Sequence, residues 1–196
     1  MKILSISDIL VKELETEFDG SIFEGIDLIL SCGDLPPEYL TKVMTLVGAP
    51  LFYIKGNHDI RYQSKPPQGC LDLHRKIIKF KGYKIIGFDG SNWYNGGPNQ
   101  YTDKQMKKMI KSLRASIWFN KGVDIVLTHA PPRYLGDAED RCHMGFDSFR
   151  NLISKYKPEY FVHGHIHKAF KKNEDRVTVF NQTKIINSCG YHIFEI

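Results

Sequence analysis

The 196-residue chain has few cysteines and no long apolar run. Cys32, Cys70, Cys142 and Cys189 are far apart and form no Cys-x-x-Cys pair, which argues against a structural zinc site and favours reduced thiols. No apolar stretch approaches the ~18 residues of a membrane span, and the opening Met1–Ile6 reads as a strand that is too short for a signal peptide. These absences predict a cytoplasmic protein without a membrane partner.

Neither positive nor negative residues are in large excess. The net charge is +5, from 27 basic and 22 acidic residues, and the basic residues are scattered. A mildly basic chain of this kind favours small anions such as phosphates and argues against a nucleic-acid partner. No pattern in the sequence indicates an oligomeric state.

Hydrophobic periodicity predicts alternating strands and helices in the first third of the chain. The expected strands are Ile3–Ser7, Ile26–Ser31 and Leu51–Lys55, separated by a short amphipathic stretch over Leu10–Phe18 and a helix over Pro37–Leu46. This βαβαβ order favours parallel pairing of the strands.

The rest of the chain mixes antiparallel signals with further helices. Lys81-Gly82 between two apolar runs predicts a hairpin, and Thr102 with Gln105 predicts a capped helix. We expect a single domain, residues 1–196, of mixed α/β class. The other predicted elements are strands Val123–Leu127 and Tyr160–Val162, a helix Phe146–Tyr156, and an antiparallel meander of Val177–Phe180, Lys184–Asn187 and His192–Glu195.

Polar side chains follow several of these strands, where loops on a rigid sheet can present chemistry. Carboxylate, amide and imidazole donors together suit Mn²⁺, Fe or Zn²⁺ better than Ca²⁺ or Mg²⁺. A pair of such ions would clamp a phosphate and activate water, while His58 would protonate the leaving oxygen. The residues concerned are Asp8, Asp34, Asn57, His58, His129, His165 and His167.

These residues lie in blocks whose order resembles that of the calcineurin-like metallophosphoesterase superfamily. The blocks are Gly33-Asp34, Gly56-Asn57-His58-Asp59, a lone His129 and Gly164-His165-Ile166-His167, after an initial Asp8. The resemblance implies a mixed-sheet β-sandwich flanked by helices. It implies that one divalent metal is bound by Asp34, Asn57, His129 and His165, and another by Asp8, Asp34 and His167, with His58 as the proton donor. Mn²⁺ or Fe is the favoured ion, with Zn²⁺ or Ni²⁺ as alternatives.

The first block departs from the superfamily, because Leu10 stands where the Asp-x-His pattern has histidine. Leucine cannot ligate a cation, so the first metal site loses a protein ligand. Three outcomes stay open: a weaker first metal with water in the gap, a donor from elsewhere, or a single metal. The segment Asp137–His143 is a candidate source of a substitute donor. Leu35-Pro36-Pro37, in place of an Asp-Arg extension, argues against a phosphoprotein substrate.

The function implied by the resemblance is a metal-dependent phosphoesterase, more specifically a phosphodiesterase for small phosphate esters. Arg141 and His143 are candidate substrate contacts, and the loop with Trp93 and Tyr94 is a candidate wall of the cleft. The alternative is a metal-binding scaffold with little catalysis, since the superfamily includes a retromer scaffold subunit with a degenerate site. A nuclease is disfavoured because the chain has no strong basic tract.

Overall fold

The computed structural model describes residues 1–170 and 172–196. Short 3-10 turns at Lys12–Leu14, Ile60–Gln63 and Asn173–Arg176 accompany the regular elements. In chain order these are β1 (Lys2–Ser7), β2 (Leu28–Ser31), α1 (Pro37–Val47), β3 (Leu51–Tyr53), β4 (Leu71–Asp72), β5 (Ile77–Phe80), β6 (Tyr83–Phe88), β7 (Ser91–Asn92), β8 (Gln100–Tyr101), α2 (Asp103–Ser112), α3 (Arg114–Phe119), β9 (Ile125–Thr128), α4 (Asp147–Tyr156), β10 (Tyr160–His163), β11 (Val177–Phe180), β12 (Thr183–Asn187) and β13 (Gly190–Glu195).

Two mixed sheets hold most of the strands, in the orders β13-β1-β2-β3-β4 and β11-β12-β10-β9-β6-β5. In the first sheet β1 to β4 run parallel, and β13 pairs antiparallel with β1. In the second sheet β6, β9, β10 and β12 run parallel, and the antiparallel strands β5 and β11 form its edges. Parallel strands end at a common edge, so the loops that follow them are brought together there.

The core lies between the two sheets and on their outer faces. Leu30, Leu127 and Val162 are fully buried where the sheets face each other. Leu40 of α1 covers the outside of the first sheet, and Phe149 of α4 covers the outside of the second. Each such side chain contributes about 1.5–3 kcal/mol by burial. The expected β-sandwich flanked by helices is confirmed.

Local signals in the middle of the chain are confirmed as well. Lys81 and Gly82 have φ angles of 44° and 89° and close the antiparallel β5–β6 hairpin. The Thr102 hydroxyl accepts a hydrogen bond from the Gln105 backbone, and the Gln105 side chain accepts one from the Thr102 backbone at 2.8 Å. This capping box starts α2 at the position that the sequence predicts.

Two predictions about the elements are wrong. Leu10–Phe18 contains only the 3-10 turn at Lys12–Leu14, because Leu14 is its one fully buried apolar side chain and a helix this short needs tertiary packing. The predicted meander also fails at its last strand. β12 pairs in parallel with β10, whereas β13 crosses to the other sheet and pairs with β1. Among the described residues, no helix has the length and apolar character needed to cross a bilayer.

Candidate metal centre

The candidate residues of both sheets meet at one edge of the sandwich. Asp8 directly follows β1, His129 directly follows β9, and His165 lies two residues after β10. One ligand atom from each of Asp8, Asp34 and His129 lies within 4.8 Å of the other two. The sequence therefore brings together carboxylate and imidazole donors that are far apart along the chain.

His129 is the buried middle of this cluster. Its Nδ1 donates to the carbonyl of Cys32 at 2.8 Å. Its Nε2 lies 3.1 Å from Oδ1 of Asn57 and 3.2 Å from Oδ2 of Asp34. Because Nδ1 is engaged by a backbone carbonyl, Nε2 is the ring atom turned toward the oxygens of Asn57 and Asp34. These three side chains present one nitrogen and two oxygens to a common point.

Asp8 forms the other side of the cluster. Its carboxylate accepts from the backbone N–H of His165 at 3.0 Å and lies 3.4 Å from Nε2 of His167. The nearby 3-10 turn has no side-chain cap, so Asp8 is not engaged there. The His167 side chain is 60% exposed, so this side of the centre opens to solvent.

His165 is oriented by a loop carbonyl. Its Nε2 donates to the Cys142 carbonyl at 2.7 Å, and its ring lies 4.7 Å from that of His129. Fixing the Nε2 proton in this way leaves Nδ1 as the ring atom with a free lone pair. Backbone hydrogen bonds of this kind commonly orient metal-binding histidines.

Three residues of the centre have left-handed backbone conformations. Asp8, Asp34 and His165 have φ angles of 65°, 56° and 67°, which side chains other than glycine rarely adopt. Such conformations cost about 1–3 kcal/mol each and concentrate at functional sites. The fold therefore holds these three residues in strained backbone conformations, which orient their side chains toward the centre.

Asp34 and His129 form a charged pair, in which a bound cation would replace the proton of His129. Burial opposes ionisation of Asp34, yet the charge and hydrogen bond of His129 lower the pKa of this carboxyl to about 2. Burial likewise opposes protonation of His129, but Asp34 raises the pKa of the imidazole to about 9. Burial and the charge of His129 lower the pKa of His165 to about 3, which keeps that imidazole neutral. The proton on His129 thus balances the carboxylates.

Metal binding is therefore expected to release a proton and to strengthen with pH. Below about pH 9 a cation must displace the His129 proton, so the apparent affinity should rise by up to about tenfold per pH unit and level off above that value. Calorimetric titration of Mn²⁺ into metal-stripped protein, at about pH 6, 7 and 8 in buffers of different ionisation enthalpy, measures both quantities. Equal affinity across this range, without proton release, would contradict the arrangement.

Asp59 and Tyr94 support the centre through hydrogen bonds that the sequence does not predict. The buried Asp59 accepts hydrogen bonds from the backbone N–H groups of Asp34, at 2.8 Å, and Gly56, at 2.7 Å. Burial raises the pKa of Asp59 to about 7. The Tyr94 hydroxyl accepts from Nδ2 of Asn57 at 3.3 Å. An acidic residue directly after His58 was the available signal for Asp59, whereas the sequence predicts Tyr94 only as part of a loop lining the cleft and does not predict its contact with Asn57.

The other predicted residues lie around the mouth of the centre. His58 is exposed, and its backbone N–H donates to Oδ1 of Asp34 at 2.8 Å. Arg141 lies over the ring of Trp93 with 5.4 Å between guanidinium and ring centroid. The His143 ring lies 5.2 Å from the ring of His165. The Trp93 loop and the segment with Arg141 and His143 thus meet beside the candidate metal donors.

The segment Asp137–His143, the candidate source of a substitute donor for the gap left by Leu10, lies beside His165. This segment touches His165 through the Cys142 carbonyl and the His143 ring, and neither contact reaches Asp8. Leu10 itself is 46% exposed.

The remaining histidines pack in the structure: His163 is buried, and burial lowers the pKa of its imidazole to about 4. His74 and His192, which are half-buried and buried, complete this group.

The donor set fits a divalent transition metal. It combines carboxylate and amide oxygens with imidazole nitrogens, which is the mixture that suits Mn²⁺, Fe and Zn²⁺. Without a cation, Nε2 of His129 faces two oxygens only because it carries a proton. A metal ion would satisfy the same atoms in their deprotonated form.

Residues 1–169 match the family model of the calcineurin-like phosphoesterases, and the chain belongs to this family. The protein UPF0046 T07D4.2 of Caenorhabditis elegans is 39% identical over 70 residues, which are 35% of this chain and only 16% of the worm protein.

Solved structures share the fold at low sequence identity. TT1561 of Thermus thermophilus superposes with a TM-score of 0.67 at 18% identity, over 96% of this chain and 89% of that chain. GAP50, described as the anchor in the inner membrane complex of Plasmodium, gives 0.55 at 14% identity, over 95% and 70%. A Vps29 single mutant from Entamoeba histolytica gives 0.50 at 17% identity, over 100% and 86%.

Proposed function

We propose that the protein is a metal-dependent phosphoesterase, and more specifically a phosphodiesterase that acts on small phosphate esters. The observation that carries this proposal is the convergence of Asp8, Asp34 and His129 within 4.8 Å at the loop edge of the sandwich. Membership of the calcineurin-like phosphoesterase family supports the reaction class. The preference for diesters is our own inference.

We assign the donors to two ions that share Asp34. Asn57, His129 and His165 would complete one site, and Asp8 with His167 would complete the other. Mn²⁺ or Fe is the preferred ion, because the donors are oxygens and imidazole nitrogens. A divalent ion held by these residues would supply Lewis-acid polarisation of phosphoryl oxygens and would lower the pKa of bound water.

The protein's own groups orient the ester and supply the proton. His58 is anchored through its backbone N–H to Asp34, while its imidazole is exposed at the mouth of the centre. It is therefore placed to protonate the leaving oxygen. Arg141, held beside Trp93, adds a positive charge that favours an anionic substrate. The hydrogen bond from Nδ2 of Asn57 to the Tyr94 hydroxyl orients the amide so that its oxygen faces His129.

Hydrolysis of bis-p-nitrophenyl phosphate by metal-stripped protein tests the proposal. Turnover is expected to appear as Mn²⁺ is titrated in, because the donors of the centre are otherwise satisfied by protons and hydrogen bonds. The Asn57→Ala variant should need more Mn²⁺ and reach only part of the wild-type rate, since it lacks one oxygen of the donor set. The assay records the release of p-nitrophenol against Mn²⁺ concentration, and p-nitrophenyl phosphate in parallel distinguishes diesters from monoesters.

A gain-of-ligand variant provides the matched comparison. Leu10→His restores the histidine of the family pattern at an exposed position, where the substitution disturbs no core packing. Half-maximal activity should then require less Mn²⁺ if the first site is limiting. Absence of turnover with Mn²⁺, Fe²⁺, Zn²⁺ and Ni²⁺ in both proteins would overturn the assignment as an enzyme.

One observation favours a second candidate, a metal-binding scaffold with little catalysis. Ile9, Leu10 and Ile60 are 48%, 46% and 58% exposed, and in the sequence they directly follow Asp8 and Asp59. Exposed apolar side chains that form one continuous patch are a feature of protein-binding surfaces. Metal binding by calorimetry without hydrolysis of any ester, together with partner binding that Leu10→Lys weakens, would favour the scaffold.

A further inference from the structure

The segment beside His165 carries three metal-binding side chains of its own. Asp140, Cys142 and His143 lie within four consecutive residues, and their ligand atoms converge. They are distinct from the donors of the candidate centre, which contain no sulfur. A thiol, a carboxylate and an imidazole together form a donor set of the type that binds Zn²⁺.

Neighbouring ion pairs hold this segment in place. Arg133 donates to Asp137 at 2.7 Å and to Glu139 at 2.7 Å. Asp137 also accepts from the backbone N–H of Gly145 at 2.9 Å. At the other end, the Cys142 carbonyl accepts from His165. The three donors thus sit on a loop that is fixed on both sides and is already folded for binding.

The separations between the donors are close to those of a tetrahedral site. Sγ of Cys142 lies 3.5 Å from Nδ1 of His143, and Oδ1 of Asp140 lies 2.8 Å from each of these atoms. Bonds of about 2.0–2.3 Å to zinc place tetrahedral ligands about 3.3–3.6 Å apart. The thiol and imidazole are therefore already at the required distance, and only the carboxylate has to withdraw, by less than about 1 Å.

Solvent can supply the remaining ligand. The side chains of Asp140 and His143 are 52% and 37% exposed, so water reaches the point between the donors. The Asp140 carboxylate accepts a hydrogen bond from the Cys142 thiol and lies against Nδ1 of His143. An anionic oxygen, a thiol and an imidazole facing solvent form an accessible binding site rather than a packed core cluster.

We propose that Asp140, Cys142 and His143 form a separate binding site for a thiophilic divalent cation such as Zn²⁺, at the mouth of the candidate metal centre. The thiolate makes this site select softer ions than the oxygen and nitrogen donors of the centre do. Binding releases the proton of the Cys142 thiol to solvent as the metal takes its place, and no electron transfer is involved. Because the Cys142 carbonyl holds His165, an ion on this loop would also stiffen one proposed ligand of the centre.

Cobalt titration of the metal-stripped, reduced protein tests this proposal without reference to activity. A cysteine ligand gives a thiolate-to-cobalt charge-transfer absorption in the near ultraviolet, which oxygen and nitrogen donors do not give. The wild-type protein should show the band, and Zn²⁺ should remove it by competition. Cys142→Ser should abolish it, and His143→Ala should weaken Co²⁺ binding by about tenfold or more, since one of three ligands is lost.

Two controls separate this site from other thiols and from the candidate centre. Cys70→Ser should keep the band, because Cys70 is partly exposed but its sulfur lies beside Met44, outside the cluster. Asn57→Ala should also keep it, because that residue belongs to the other donor set. A band that survives Cys142→Ser, or its absence from the wild-type protein, would overturn the proposal.

A measurement on the wild-type protein tests the proposal even where a variant fails to fold. Alkylation by iodoacetamide, mapped by mass spectrometry, should be slowed by Zn²⁺ at Cys142 and not at Cys70. Equal rates at Cys142 with and without Zn²⁺ would contradict binding at this loop. This readout does not depend on phosphoesterase activity.

Discussion

Replacing His58 with alanine is expected to lower kcat by about 10²–10⁴-fold, the usual effect of losing a general acid. The anchoring contact to Asp34 uses the backbone N–H of residue 58, so it survives the substitution. Because the side chain is exposed, its removal also leaves the core unchanged. Steady-state hydrolysis of bis-p-nitrophenyl phosphate at saturating Mn²⁺ measures the loss, and calorimetry should find Mn²⁺ affinity near that of the wild-type protein.

Asn57→Ala provides the contrasting variant, since its defect should lie in metal binding. Its amide oxygen is 3.1 Å from Nε2 of His129 and belongs to the proposed donor set. Added Mn²⁺ should therefore recover part of its activity and none of that lost in His58→Ala. Rates unchanged by either substitution would refute the two roles, and full recovery of His58→Ala by Mn²⁺ would make His58 a ligand rather than an acid.

Gly56→Ala is expected to disable both metal sites together. A β-carbon at residue 56 would stand 2.0 Å from Oδ1 of Asp34 and 2.8 Å from the backbone nitrogen of that residue. The carboxylate would have to leave the position in which it meets His129, so Mn²⁺ affinity should fall by about 10–100-fold or more. Overpacking of this buried turn should also lower the free energy of unfolding by about 1–3 kcal/mol.

Gly20→Ala is the matched control for that substitution. A β-carbon at residue 20 would have Phe18 as its nearest neighbour, at an ordinary contact distance of 3.6 Å. Calorimetric Mn²⁺ titration and urea unfolding of both variants separate the effect on the site from a general effect of losing a glycine. Wild-type affinity in Gly56→Ala would show that Asp34 is not a metal ligand, because its present position could not be kept.

The sequence predicts the candidate centre better than it predicts the turns around it. Strand ends followed by Asp8, His129 and His165 were recognisable because apolar runs stop there and polar groups begin. Parallel pairing then places those ends at one edge, which the structure confirms for both sheets. The role of Tyr94 could not be predicted, since its contact with Asn57 depends on how a long polar loop folds back.

Long-range pairing explains the errors in the fold. The strand β13 has the same half-buried pattern whichever sheet it joins, so its apolar residues cannot distinguish pairing with β12 from pairing with β1. Leu10–Phe18 has apolar residues at helical spacing, but Val11 donates its N–H to the Tyr39 hydroxyl and Leu10 points to solvent. Contacts made only in the folded chain determined both outcomes.

The hydrogen bond between Asp8 and the backbone of His165 joins residues that are 157 positions apart, one from each sheet. A site built from residues so far apart in the sequence forms only after the two sheets have packed together, which is a late event in folding. A cation held there would bind the native chain and not its partly folded forms, adding about 2.7 kcal/mol at a concentration one hundred times its Kd. Metal supply would then govern how long each molecule survives proteolysis, as well as how fast it works.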